Sequence, residues 1–597
     1  MTNFRLRPLA AVLLSLALAA CATTPRPAAP VIVGIAAIND FHGALEPPRQ
    51  SVVAPGANGV QVRVPAGGAA WLASAVDAVR ARYPNHLTVS AGDLVGGTPI
   101  TSALFVDEPA IEVMNRIGLD FNAVGNHEFD AGIEELRRKA SGGCAQHTAR
   151  KPCQVEKFRG AQFPFLAGNT FLKDGTTLFP GSAIRSFGTG RGRVKVGIIG
   201  LTLKGTGGLI PTETAAQLRF GDEAETANLL VDKLKRQGAD AVVVLIHQGS
   251  RTGGEPDPDG CVKLAGDIGA VLDRLDPRVD VVISGHTHWD YVCDYGAYNP
   301  ARPFLLTSAG LWGKLVTDIT LEIDPAQHRV VARRAHNVIV QSQDYTASVS
   351  QVVQSDAVPQ FAPRPDIAAY VATYVDAASA FSRRRVGSLG AEALKLTGPN
   401  GNTGGVLGNL IADAQLAAGR GAGAQIAFMN PFGIRRSLIP AADGSVTFAD
   451  IYAVQPFNNP LETLSYTGAE LKEILEQGLD PVEPEQLLAP SAGFVFRFDR
   501  SRAVGDRVVS MTLDGVAIDP AQTYRVTVSE FLANGGDSFT GFAKGRDKVT
   551  GMIDVAALEA WLQTVPPRLP PADLRAIDLH PELNRRPDTT RAGVTYR

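Results

Sequence analysis

Val242-Val243-Val244-Leu245-Ile246 contains no polar side chain and runs directly into His247. Short apolar runs of this type recur along the first half of the chain, at 31–39, 87–90, 121–124, 193–199, 240–246, 279–284 and 304–307. A run of four to eight Val/Ile-rich residues without polar alternation suits a strand covered on both faces. Helical stretches lie between some of them. Residues 69–80 put Trp71, Leu72, Val76 and Val79 on roughly one side, 111–117 read as a helix, and so do 223–237. Buried strands alternating with helices predict an α/β fold with sheet faces covered by helices. A second α/β unit follows from about residue 386, after a helical stretch at 367–385 that ends in Arg383-Arg384-Arg385 and reads as a linker helix. The 597 residues exceed what one ordinary domain holds.

The polar clusters that end these strands carry the chemistry. They are Asn39-Asp40-Phe41-His42-Gly43, Gly92-Asp93, Gly125-Asn126-His127-Glu128-Phe129-Asp130, His247, and Gly285-His286-Thr287-His288. Ligands of open α/β sheets bind outside the carboxyl ends of the strands. Five strand ends that gather Asp, Asn and His therefore describe a metal site. Carboxylate and imidazole ligands suit Zn²⁺, Mn²⁺, Co²⁺ or Fe²⁺, and Mg²⁺ remains open. The number of ligands suits two divalent ions, with a carboxylate bridging cations about 3.5–4 Å apart. Five of the ten histidines fall in these clusters; His86, His147, His328, His336 and His580 lie in no such setting.

The N-terminus reads as an export signal. Arg5 and Arg7 precede the apolar run 10–20, which is too short for a stable membrane span. Leu18-Ala19-Ala20-Cys21 resembles a bacterial lipobox, which assigns 1–20 to a signal peptide and makes Cys21 a lipidated, membrane-anchoring residue. Residues 21–30 form a Pro-rich tether. Ala22, where an aspartate would retain a lipoprotein at the inner membrane, points to the outer membrane, with the body periplasmic or at the cell surface. Four cysteines remain, and three pairings are open. Cys144 with Cys153, and Cys261 with Cys293, is the economical choice, because each pair brackets a loop-like stretch that an oxidising compartment can staple. A net charge of −3 leaves no footprint for a nucleic-acid polymer, although a nucleotide needs only a few local arginines. No obligate protein partner is evident.

The ordered set Asp-x-His, Gly-Asp, Gly-Asn-His-Glu, His, Gly-His-x-His resembles the calcineurin-like metallophosphoesterase pattern. The fuller forms Asn39-Asp-Phe-His-Gly43 and Asn126-His-Glu-Phe-Asp130 resemble its 5′-nucleotidase branch. Further motifs extend the resemblance into the second unit: Leu407-Gly-Asn-Leu-Ile-Ala-Asp413, Asn430-Pro-Phe-Gly-Ile-Arg435, Gln455-Pro-Phe-Asn-Asn459 and Phe531-Leu-Ala-Asn-Gly-Gly-Asp537. The resemblance implies a four-layer α/β metallophosphoesterase domain over 31–345, a linker with its helix over 346–385, and an α/β substrate-binding domain over 386–564. A Pro-rich tail would cover 565–597. It implies one metal on Asp40, His42, Asp93 and His288, another on Asp93, Asn126, His247 and His286, and a metal-bound water or hydroxide as nucleophile. His127 would stabilise the transferring phosphoryl group, and Asp130 would orient it. In the second domain, Phe457 and Phe531 would sandwich a base, Asp537 would accept from ribose hydroxyls, and Arg435 would hold phosphate with Asn430 nearby. The implied activity is hydrolysis of nucleotides, foremost 5′-monophosphates. The alternatives are a 2′,3′-cyclic phosphodiesterase or UDP-sugar hydrolase of the same family, and, from another class, a non-catalytic nucleoside-binding lipoprotein. Two departures stand out. The Gly-rich stretch 395–405 has no arginine where the family usually places one, and Pro431-Phe432 stand where glycines are usual.

Overall fold

The computed structural model describes residues 29–580, apart from 56–59, 149, 254–255, 347–350, 396, 399–400, 403, 480–485 and 564–566. Residues 1–28, where the signal peptide and the lipidated Cys21 are expected, and 581–597 lie outside the described residues.

Two six-stranded sheets stack in the first domain. One has the order Arg329–Ile339, Leu315–Asp324, Val31–Ile38, His86–Ser90, Phe121–Ala123, Phe165–Leu166. The other runs Asp290–Asp294, Leu305–Ala309, Val281–Ser284, Ala241–Ile246, Val194–Leu201, Ser182–Phe187. In each, the central strands pair in parallel. Strand alternation explains the unbroken apolar runs. Val243 and Leu245 face the other sheet, meeting Val33, Ile35, Leu87 and Val89, while Val242, Val244 and Ile246 face the helices on the outer side. Helix Glu223–Arg236 buries Ala227, Val231 and Leu234 there. On the opposite outer face lie Ala69–Arg80 and Glu108–Ile117. The result is the four-layer order helix, sheet, sheet, helix.

Helix Pro365–Ser382 packs Ile367, Tyr370 and Tyr374 into the first domain's outer core. It stops before the arginine run because Arg385 already opens a strand, Arg385–Ser388, that pairs with Ser445–Thr447 of the second domain. The second domain holds a five-stranded sheet ordered Ala489–Pro490, Ile426–Met429, Thr523–Ser529, Pro460–Thr467, Arg546–Ile553, covered by helices that include Gly405–Gly419 and Gly468–Gln477.

The Pro-rich stretch expected over 565–597 contributes a strand to the second domain. Ala576–Asp578 adds a parallel strand beside Phe494–Phe498. Next to it Arg575, 4% exposed, bonds both carboxylate oxygens of Asp413. A strand of three residues is too short to leave a period in the sequence.

Candidate active site

The carboxyl ends of the central strands of both sheets meet at one place, and the polar clusters turn off them there. Sharp turns are needed, and the backbone shows them. Asp40, His42, Asp93, His286 and His288 all have φ between 45° and 71°, a left-handed conformation that side chains other than glycine rarely adopt. Strain of this sort is kept where the surrounding structure enforces it, typically at functional sites. Gly92 (φ 98°) completes the turn, and a Cβ there would lie 2.7 Å from His247 Nδ1.

All seven residues proposed as ligands come together. Asp40, His42, Asp93, Asn126 and His247 are buried, and His286 and His288 half-buried at the rim. Asp93 Oδ2 lies 3.0 Å from His247 Nε2 and 3.7 Å from His42 Nε2. The oxygen of Asn126 is 3.1 Å from His247 Nε2 and 3.0 Å from His286 Nδ1. His42 Nε2 and His288 Nε2 are 3.2 Å apart. Asp40, His42 and His288 form one group of close ligand atoms, and Asp40, Asp93 and His247 another, so Asp40 belongs to both.

The donor set fits cations. His42 Nδ1 pairs with the Gly96 carbonyl at 2.8 Å, and His247 Nδ1 with the Ala91 carbonyl at 2.8 Å. A ring that donates from Nδ1 turns the Nε2 lone pair inward, the arrangement that outer hydrogen bonds give metal-bound histidines. Burial, aided by neighbouring positive groups, lowers His42 and His286 to about 3 and His288 well below the ordinary histidine value, so these imidazoles stay neutral. Asp93 Oδ2 is buried against His247 Nε2. Burial pushes Asp40 up to about 7. Burial also opposes charge on His247, yet the Asp93 carboxylate overrides it and raises the ring to about 10. The buried Asp40 and Asp93 carboxylates call for positive charge; without metal the His247 ring carries it, and divalent ions would supply it when bound.

His127 stands beside this cluster. Its amide donates to Asp93 Oδ1 at 2.9 Å, and its Nδ1 pairs with Asp130 Oδ2 at 2.8 Å. Burial disfavours the charged ring, but Asp130 and Asp93 outweigh it and raise its pKa. The second domain closes over the ring. The Arg435 guanidinium reaches within 3.4 Å of His127 Nε2, and Phe457 stacks on His127 at 5.8 Å and 15°. The Arg435 guanidinium also lies 5.3 Å from the Phe457 ring centre. Asn430 Nδ2 donates to Asp537 Oδ2 at 2.7 Å, which joins two more of the expected residues. Phe531 is half-buried against Gly536; among the described residues no ring contact pairs it with Phe457. The ring that Phe457 does meet is His127.

Two positioning residues escaped the sequence reading. Glu128 is fully buried and accepts from the amides of Asp93 (3.0 Å), Leu94 (2.9 Å) and Gly125 (2.8 Å), tying two ligand loops together. Asn39 donates to Asp40 Oδ2 and to the Gly310 carbonyl, and accepts from the Ala309 amide. Both stood inside the quoted motifs, and their place beside a ligand was the available signal. Both disulfides form, Cys144 with Cys153 and Cys261 with Cys293.

The family profile for calcineurin-like phosphoesterase matches residues 34–290, and that for the 5′-nucleotidase C-terminal domain matches 388–544. Protein UshA of Escherichia coli is 26% identical over 509 residues, covering 82% of this chain and 85% of that one. Endonuclease YhcR of Bacillus subtilis is 29% identical over 535 residues, 89% of this chain but only 39% of that longer protein. The crystal structure of the 5′-nucleotidase precursor from Thermus thermophilus superposes with a TM-score of 0.69 at 25% identity, over 92% of this chain and 99% of the other. Since the two profiles fall on the two domains whose residues meet at this cluster, the chain belongs to the two-domain 5′-nucleotidase family of calcineurin-like phosphoesterases and is a metallophosphatase.

Proposed function

We propose that the protein is an exported phosphohydrolase that removes phosphate from nucleotides, foremost 5′-monophosphates, with two divalent ions. One ion would be held by Asp40, His42, Asp93 and His288, and the other by Asp93, Asn126, His247 and His286. The observation that carries this reading is the meeting of Arg435 and Phe457 from one domain with His127 from the other. An anion-binding guanidinium, an aromatic face and an imidazole whose pKa Asp130 raises together frame a phosphorylated planar molecule beside the acidic cluster.

When bound, the ions would acidify a water and screen phosphoryl charge. The chain's own groups do the rest. Arg435 pairs with phosphoryl oxygens. His127, held by Asp130 through Nδ1, presents Nε2 to the charge that develops on the phosphoryl group and leaving oxygen. Asp537, oriented by Asn430 and raised to about 6 by burial, faces ribose hydroxyls as an acceptor once ionised. Phe457 and Phe531 offer rings to a base. Two disulfides support function outside the cytosol.

Purified protein stripped of metal and reconstituted with Zn²⁺, Mn²⁺, Co²⁺, Fe²⁺ or Mg²⁺ tests this on a panel of nucleoside 5′-monophosphates, 2′,3′-cyclic nucleotides, UDP-sugars and an aryl phosphate. The expected result is metal-dependent release of phosphate, fastest from 5′-monophosphates. Undiminished turnover after exhaustive chelation would overturn the metal mechanism. Preference for a cyclic or sugar nucleotide would overturn the substrate assignment alone.

A further inference from the structure

A short chain of contacts leads from the stapled loop of the first domain to the Phe457 platform. The Cys144–Cys153 disulfide closes a loop that carries Arg150. That loop is fastened inward as well. Glu108 accepts from the Cys153 amide at 3.1 and 3.0 Å, and Arg138, itself buried, bonds Glu108 at 2.6 Å and the Gly143 carbonyl at 2.8 Å. Arg150 then spans the domains. Its Nη1 donates to the Ala103 carbonyl at 2.8 Å in the first domain, and its Nη2 to the Tyr452 hydroxyl at 2.9 Å in the second. The guanidinium also lies 5.2 Å from the centre of the Tyr452 ring. Tyr452 is 1% exposed, and its hydroxyl accepts again from Asn458 Nδ2 at 3.3 Å. Asn458 adopts a left-handed φ of 54° and directly follows Phe457, whose ring lies on His127.

We infer that Arg150 is a positioning residue for the substrate platform: through Tyr452 and Asn458 it fixes the turn that holds Phe457 over His127. Burial of Tyr452 leaves its hydroxyl dependent on these two partners, and the guanidinium supplies the stronger, charge-assisted bond. The fork matters. One planar group must reach a carbonyl on one domain and a hydroxyl on the other while lying on a ring, which a lysine ammonium does not reproduce. The two domains thus register their relative placement through a loop that the oxidised cysteines hold in shape. The inference rests on the proposed role of Phe457 in nucleotide binding, but the geometry it asserts is testable without a substrate.

The test compares Arg150→Met, Tyr452→Phe, Arg150→Lys and the double variant Cys144→Ser/Cys153→Ser with the wild-type holoenzyme. The first readout is the Hε1 resonance of the His127 ring, which the parallel Phe457 ring displaces; Phe457→Ala supplies the reference position. Arg150→Met and Tyr452→Phe are expected to move it toward that reference, Arg150→Lys to do the same in part, and the cysteine variant to follow Arg150→Met. The second readout is kinetic. KM for a nucleoside monophosphate should rise roughly tenfold, the scale of losing one charge-assisted hydrogen bond, with kcat on an aryl phosphate falling no further than in Phe457→Ala. A His127 resonance that shifts in Phe457→Ala but stays in place in Arg150→Met and Tyr452→Phe would overturn the inference. So would equal kinetic losses on both substrates, which mark a general effect on folding. If wild-type protein shows no preference for nucleotides, the proposed substrate fails, while the resonance still decides the role of Arg150.

Discussion

At the scale of single residues, the site depends on buried groups with little room for error. Asp93 lies between the imidazoles of His42 and His247 and accepts from the amide of His127. Asp93→Asn removes an anionic ligand while keeping its shape, so metal content should fall and turnover should vanish; elemental analysis with an initial-rate assay checks both. His127 calls for the opposite pattern. His127→Ala should lower kcat by roughly two to four orders of magnitude, the usual worth of such a group, with metal content intact. Loss of metal in that variant would make His127 a ligand. Gly125 is packed so that a Cβ would press on Asp93 Oδ1 and on the Asp93 amide. Gly125→Ala should therefore lose metal although it removes no ligand.

At the scale of elements, strands deliver the ligands and the segments around them hold the register. The three residues Ala576–Asp578 look too few to matter, yet they bring Arg575 to Asp413, which is nearly buried in helix Gly405–Gly419. Breaking a buried pair by removing one partner leaves an uncompensated charge and costs about 3–5 kcal/mol. Arg575→Ala should lower the unfolding free energy of the second domain by that order, read from denaturant midpoints at constant slope. An unchanged midpoint would mean that the strand rides passively on the sheet. The metal content of the first domain should be unaffected, because the pair lies wholly within the second.

At the scale of the whole molecule, the proposed function takes chemistry from one domain and recognition from the other, meeting where Arg435 and Phe457 reach His127. Stacking on an aromatic platform contributes about 1–3 kcal/mol per base. Phe457→Ala and Phe531→Ala should thus weaken nucleotide binding by roughly one to two orders of magnitude, seen as a raised KM, and should affect an aryl phosphate much less. Phe457 also touches His127, so its variant is expected to show a modest loss of kcat that Phe531→Ala lacks. Mass spectrometry of the mature N-terminus addresses the remaining proposal about the whole protein. A diacylated Cys21 is expected, and an unmodified terminus elsewhere would end the lipoprotein reading.

What could be read from the sequence was whatever local chemistry repeats along the chain. Apolar runs such as 242–246 predicted buried strands, their polar ends predicted the ligand cluster, and two bracketed loops predicted the disulfides that form. These features are legible because strand period and ligand type are properties of a few neighbouring residues. Long-range placement is not. The left-handed backbone at Asp40, His42, Asp93, His286 and His288 has no signal in those residue types, and the amides of Asp40 and His42 bond the carbonyls of Gly92 and Asp93, far away in the chain. The role of Glu128 depends on three amides that lie in two segments, and Arg575 finds Asp413 from 162 residues away. Phe457 reads in the sequence as half of an aromatic pair, but the fold sets it on His127, 330 positions earlier. Residue type and spacing determined which groups this protein brings to its reaction; only the docking of one domain on the other decided which of them touch, because that geometry is settled by contacts between surfaces that no local pattern encodes.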